Sequence, residues 1–185
     1  MIEPALAMIE FKSVAKGFKT TDEMVKKAPV RVLETHAICP GKYMVLICGE
    51  VADVEESLKK GIEIGHDMIV SHMFLPHAHP DLIPAITGTN VIDHFGALGI
   101  VETFSIATCV EAADIAAKAT DSKLVEVRLA NGLGGKGYFM ITGALCDVQA
   151  SMERAKEFVK NTGMLAGCEI IEAPHPEMLA RGVYW

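Results

Sequence analysis

The chain repeats itself, and a repeat of this length leaves few folds open. Met8-Ile9-Glu10 is answered by Ile100-Val101-Glu102, Lys26 by Lys118, and Gly41-Lys42 by Gly135-Lys136. Gly49, Val51, Asp53 and Val54 are answered by Gly143, Leu145, Asp147 and Val148. Self-similarity along most of the chain means two copies of one small domain, placed here at residues 1–90 and 91–185, with a glycine-containing polar linker near 85–97. The offset is 92 at the glutamates and 94 at the glycine turn, so the second copy carries about two extra residues between them. At that turn the first copy reads Ile38-Cys39-Pro40-Gly41-Lys42 and the second reads Leu133-Gly134-Gly135-Lys136. The cysteine has no twin.

Each copy reads as α+β. Apolar runs at 6–11 and 98–104 open the copies as strands, and helices at 21–28 and 107–119 follow. Strand pairs at 30–38 with 42–48, and at 123–130 with 136–142, turn on the glycines. The next helix carries Val51, Val54, Leu58 and Ile62 in one copy and Leu145, Val148, Met152, Ala155 and Val159 in the other, all three or four apart, which is one face of an α-helix. Asp53 and Asp147 sit in its first turn, where a carboxylate suits the helix dipole. Last strands at 68–75 and 165–173 complete a β-α-β-β-α-β order, a ferredoxin-like arrangement, twice in tandem. Each copy ends in a similar tag, His79-Pro80 with Leu82-Ile83 and His175-Pro176 with Met178-Leu179.

Composition narrows the class of partner. The 185 residues carry a net charge of −7 without any Lys/Arg tract, which argues against nucleic acid or an anionic membrane as partner. Apolar stretches such as Tyr43 to Cys48 are too short to span a bilayer. A mean hydropathy of +0.29 leaves apolar surface to spare and favours an oligomer. The start Met1-Ile2-Glu3-Pro4 lacks a secretory signal, and five cysteines, an odd number, read as reduced thiols in a cytosolic protein.

No nucleophile, base and acid stand together, so the chain is not expected to be an enzyme. His77 and His79 make His-x-His among prolines, with no second pair or carboxylate at zinc-ligand spacing. The glycines around Lys42 and Lys136 lack the full phosphate-loop pattern and a helix directly after it.

The helix around Lys26, the turn Gly41-Lys42 or Gly135-Lys136, the join Gly49-Glu50-Val51-Ala52-Asp53-Val54 and the Pro174-His175-Pro176-Glu177 tail together resemble the bacterial microcompartment (BMC) shell domain. Two such domains in unpermuted order cover nearly the whole chain. The resemblance implies a tandem-domain shell protein of the bacterial cytoplasm, three copies of which form a pseudohexameric tile among neighbouring tiles. It implies that Ile38, Cys39, Pro40 and Gly41 of the first copy and Leu133, Gly134 and Gly135 of the second line a central pore, and that Lys26 and Lys118 meet neighbouring tiles at the edge. Within the family, the cysteine-bearing first turn with a cysteine-free second resembles the propanediol-utilisation type whose members hold an iron-sulfur cluster at the pore. The implied cofactor is one 4Fe-4S cluster per trimer on Cys39, and the implied electron partner is a lumenal or cytosolic redox enzyme.

Cys39 taken alone has a plainer reading as a small apolar side chain beside a strand. One thiolate per chain cannot hold a cluster. Three related by a three-fold axis can supply three of the four ligands a cubane cluster needs, and Pro40 and Gly41 stiffen and sharpen the turn that would aim them. Cys48, Cys109, Cys146 and Cys168 are expected to be structural or incidental. Two alternatives stay open: a shell tile with no cluster, whose pore passes a metabolite, and a soluble two-domain sensor with a ligand between its halves.

Overall fold

The computed structural model describes residues 4–182, so the opening Met1, Ile2 and Glu3, read above for an export signal, lie outside the described residues. The first copy runs β1 (Ala5–Phe11), α1 (Val14–Lys27), β2 (Arg31–Ile38), β3 (Lys42–Gly49), α2 (Val51–Gly65), a 3-10 turn (His66–Met68) and β4 (Ile69–Leu75). A short α3 (Leu82–Thr87) follows, and the second copy then runs β5 (Ala97–Thr103), α4 (Ile106–Ala119), β6 (Lys123–Leu129), β7 (Gly137–Gly143), α5 (Leu145–Thr162), β8 (Leu165–Ile171) and α6 (Pro176–Gly182). Both sheets are antiparallel, in the orders β2-β3-β1-β4 and β6-β7-β5-β8. The two tandem ferredoxin-like α+β domains are therefore as expected.

Strand alternation sorts the side chains. Ala5, Ala7, Ile9 and Phe11 from β1 join Tyr43, Val45 and Ile47 from β3 on one face, where they pack with Met24 of α1 and Val54 and Leu58 of α2. Leu6, Met8, Met44 and Leu46, on the other face, are also buried. Ser13 and Ser105 cap α1 and α4, accepting from the Lys16 amide at 3.2 Å and the Thr108 amide at 3.3 Å.

Three details differ from the sequence reading. Helix α1 starts at Val14, two turns before residue 21, because Gly17 weakens the helical signal there while serving close packing: a Cβ on Gly17 would stand 2.2 Å from Tyr43 Cδ1. The buried stripe of α2 turns toward Val54, Ser57, Leu58, Gly61 and Gly65, which leaves Ile62 exposed, and Leu145 at the start of α5 is likewise exposed. Finally, residues 81–90, assigned above to the first domain, pack with the second. By contacts the first unit runs to Pro80 and takes in Ala130–Gly135, while the second comprises Asp81–Leu129 and resumes at Lys136. The reason is that α3 forms from what was read as tag and linker, ends at Gly88 in the left-handed conformation (φ 67), and seats on β6 and α4. Asp81 pairs with Lys123 at 3.6 Å, and the Asn90 side chain donates to the Val125 carbonyl at 2.7 Å.

Candidate functional site

The two glycine turns differ as their sequences do. Ile38 pairs with Lys42 across β2 and β3, so residues 39–41 alone make the first turn, which is closed by the Gly41 amide donating to the Ile38 carbonyl at 3.0 Å. Cys39 and Pro40 take its two corners, joined by a cis peptide, and Gly41 adopts φ 84, which a side chain would resist. Cys39 is half-buried and Pro40 and Gly41 are exposed. The register of β6 and β7, with Arg128 opposite Tyr138 as His36 is opposite Met44, puts the two extra residues of the second copy in its turn. Leu133 there is half-buried and Gly134 exposed.

The two turns meet. Residues 130–135 group with the first unit, and Gly135 lies against Cys39: a Cβ would stand 3.1 Å from the Cys39 carbonyl oxygen and 3.3 Å from Pro40 Cδ. Beneath each turn lies the same ion pair. Lys42 reaches Glu10 at 2.7 Å, with Ser71 donating to the other Glu10 oxygen at 2.9 Å, and Lys136 reaches Glu102 at 2.5 Å. All four residues are aligned twins in the repeat, but the sequence reading did not connect the glutamate of the first strand to the lysine after the turn. Each pair ties the root of a turn to the central strand of its sheet, and the Glu10 side chain is almost fully buried, where breaking a pair is costly.

Lys26 and Lys118 sit in the last turns of α1 and α4, where a cation suits the helix dipole. Each pairs with an aspartate one turn back: Lys26 with Asp22, whose hydrogen bond and charge raise the ammonium pKa, and Lys118 with Asp114 at 2.5 Å. The Asp-x3-Lys spacing is a second duplicated pair that sequence comparison alone could have found. Lys26 is exposed and Lys118 partly so.

Among the described residues, no three His, Cys, Asp or Glu side chains gather as ligands for one metal ion. Cys48 and Cys109 are buried, Cys146 is exposed and Cys168 half-buried. Burial pushes the Cys109 thiol up to about 12 from an ordinary 9.0. Between those values the unfolded chain releases this proton while the folded chain keeps it, so this thiol makes stability fall as pH rises through that window. At pH 8 a thiol reagent is expected to label Cys146 in the native protein and leave Cys109 untouched until denaturant is added. Prompt labelling of Cys109, read by peptide mass, would contradict its burial.

A duplicated sheet-and-helix domain with paired glycine turns defines the class. The BMC domain matches residues 5–78 and 97–174, and the chain belongs to that family as a tandem-domain bacterial microcompartment shell protein. More particularly, it is similar along its length to the bacterial microcompartment shell protein PduT of Citrobacter freundii, with 39% identity over 94% of this chain and 95% of that one. A crystal structure of a microcompartments protein from Desulfitobacterium hafniense DCB superposes with a TM-score of 0.91 at 38% identity, covering 95% of this chain and 98% of the other. The carboxysome shell protein CcmK2 of Synechocystis sp. is 28% identical over 97 residues, which cover 49% of this chain and 94% of that one. The chain is thus a structural protein and not an enzyme, and its place is the microcompartment shell in the bacterial cytoplasm.

Proposed function

We propose that three copies of this chain close a pseudohexameric shell tile in which the two kinds of turn alternate around a central pore, and that the three Cys39 thiolates hold one iron-sulfur cluster there. The observation that carries this reading is the position of Cys39 at a corner of the first turn, with the cysteine-free second turn seated against it. Six identical domains would present six identical turns. Three tandem chains present two kinds, and can place a special group on three of the six.

The donor chemistry fits. A single chain gathers no metal-ligand set among its described residues, yet it offers a partly exposed thiol on a tight turn. Three such thiols near one axis repel as thiolates unless something positive lies between them. A 4Fe-4S cluster takes thiolate ligands and, when bound, carries single electrons, so a tile of this kind would pass electrons between the compartment and the cytoplasm, with a redox enzyme on one side as partner. The chain's own part is to hold the sulfurs in place, through the Glu10–Lys42 and Glu102–Lys136 pairs below the turns, and to close the pore mouth with Pro40, Gly134 and Gly135. Protein reconstituted without oxygen is expected to absorb broadly in the visible. Colourless, iron-free protein would replace this reading with an open, metabolite-passing pore.

Lys26 and Lys118 fit the tile edge, their apolar stems lying flat against a neighbouring tile and their ammonium groups reaching its carbonyls. Changing both to Ala is expected to abolish extended sheets in electron micrographs and leave the trimer intact. Unchanged sheets would remove the edge role.

A further inference from the structure

We propose that the second glycine turn, residues 131–135, is a cradle of backbone amides that hydrogen-bond the sulfurs of the cluster held by Cys39 and raise its reduction potential. The inference rests on the cluster reading and gives the turn that lacks a thiol its own part in that site.

Backbone handedness sets the two turns apart. In the second, Ala130, Gly132, Gly134 and Gly135 take positive φ values of 61°, 70°, 64° and 92°, while Asn131 and Leu133 between them do not. Such alternation of left- and right-handed residues turns successive amides toward one concave side, the arrangement found in phosphate loops and at many iron-sulfur sites. Its cost shows at Ala130, fully buried and held in a region that its Cβ disfavours. The first turn, shorter by two residues, has room for no such alternation. Its one positive φ is at Gly41, whose amide already donates to the Ile38 carbonyl.

The amides of the second turn are largely unused within the chain. Leu133 donates to the Ala130 carbonyl at a long 3.3 Å, and among the described residues the amides of Asn131, Gly132, Gly134 and Gly135 meet no acceptor. Water can serve Asn131, Gly132 and Gly134, which are exposed. Gly135 is different. It is buried, and a buried amide is rarely left without an acceptor. It also lies against Cys39, where the lack of a side chain lets the two backbones approach: an added Cβ would stand 3.1 Å from the Cys39 carbonyl oxygen. Sulfur held by Cys39 supplies the missing acceptor, and hydrogen bonds to cluster sulfurs are among the features that set a potential. Amides aimed at those sulfurs stabilise the reduced state, which holds one more electron, above the oxidised one. The electron comes from the redox partner, and no bond forms or breaks.

Glycine substitutions that leave the thiol in place test this in the full-length protein, reconstituted without oxygen. A Cβ on Gly132 or Gly134 would meet nothing within 4 Å, so a side chain there acts through φ and not through a clash. Alanine at both positions is expected to draw the turn out of the left-handed region and misalign its amides, whereas asparagine at both tolerates that region and keeps them aligned. Titration with dithionite and dye mediators, read by electron paramagnetic resonance, gives the potential, and iron per trimer is measured beside it. Gly132→Ala with Gly134→Ala is expected to shift the reduced-to-oxidised ratio about tenfold toward the oxidised state, a potential lower by about 59 mV for one electron, with the asparagine pair within about threefold of the parent. Iron lost by the alanine pair and kept by the asparagine pair would show the same dependence on the amides. A loaded alanine pair at the parent's potential, or an asparagine pair that falls as far as the alanine pair, overturns the amide role and leaves the cluster standing. A parent that holds no iron overturns both.

Discussion

Cys39→Ser protein, reconstituted without oxygen, is expected to be colourless and to hold less than about a tenth of the parent's iron, because a hydroxyl is a poor replacement for a thiolate that must supply one of only three protein ligands. The loss should be nearly complete, since the change reaches all three ligands of a tile at once. The trimer should survive it. Cys39 occupies a turn corner and is half-buried, so the substitution removes little packing. The same change at Cys146 is expected to leave the iron in place, since that thiol is exposed near the start of α5. At Cys48 or Cys109, each fully buried, a serine would place a hydroxyl in the core, and the iron should persist to the extent that the fold does. A Cys39 variant that binds as much iron as the parent would leave the cluster reading without its ligand.

Gly17→Ala is expected to destabilise the fold, although here two general effects oppose each other. Alanine in a helix interior is favoured over glycine by about 1 kcal/mol, which would stabilise α1. Against that, the new Cβ would stand 2.2 Å from Tyr43 Cδ1 and 2.6 Å from Cγ. The ring cannot step aside freely, because it is fully buried and its hydroxyl accepts a 2.7 Å hydrogen bond from Thr35. Overpacking of this kind costs about 1–3 kcal/mol, and at such a distance the upper part of that range should outweigh the gain in propensity. A net loss of about 1–2 kcal/mol would lower the melting temperature by roughly 3–8 °C in a chain of this size. A melting temperature at or above that of the parent would mean that β3 and α1 shift apart more easily than their packing suggests.

The repeat was readable because twin residues do the same work: Glu10 with Lys42 and Glu102 with Lys136 make the same bond at the same place in each sheet. Strand and helix order followed from apolar spacing. Gly17 obscured the first turns of α1, since its role lies in contact with Tyr43 on another element and not in local propensity. Spacing could not tell that α4 is buried on nearly every side while α1 keeps Phe18 and Val25 exposed, because both helices carry apolar residues at those positions and cover from elsewhere decides the difference. The site was half readable. A thiol without a twin, between a strand end and Pro-Gly, marked Cys39. Its neighbour Gly135 lies far along the chain, and only the grouping of residues 130–135 with the first unit brings the two turns together.

Native mass spectrometry of anaerobically reconstituted protein tests the central claim most directly, because one spectrum reads both the number of chains and whatever they hold. The account predicts a particle of three 19.9 kDa chains, near 60 kDa, heavier than the bare polypeptides by the mass of a single iron-sulfur cluster. A trimer with no added mass would contradict the cluster, and a particle of one chain would contradict the tile.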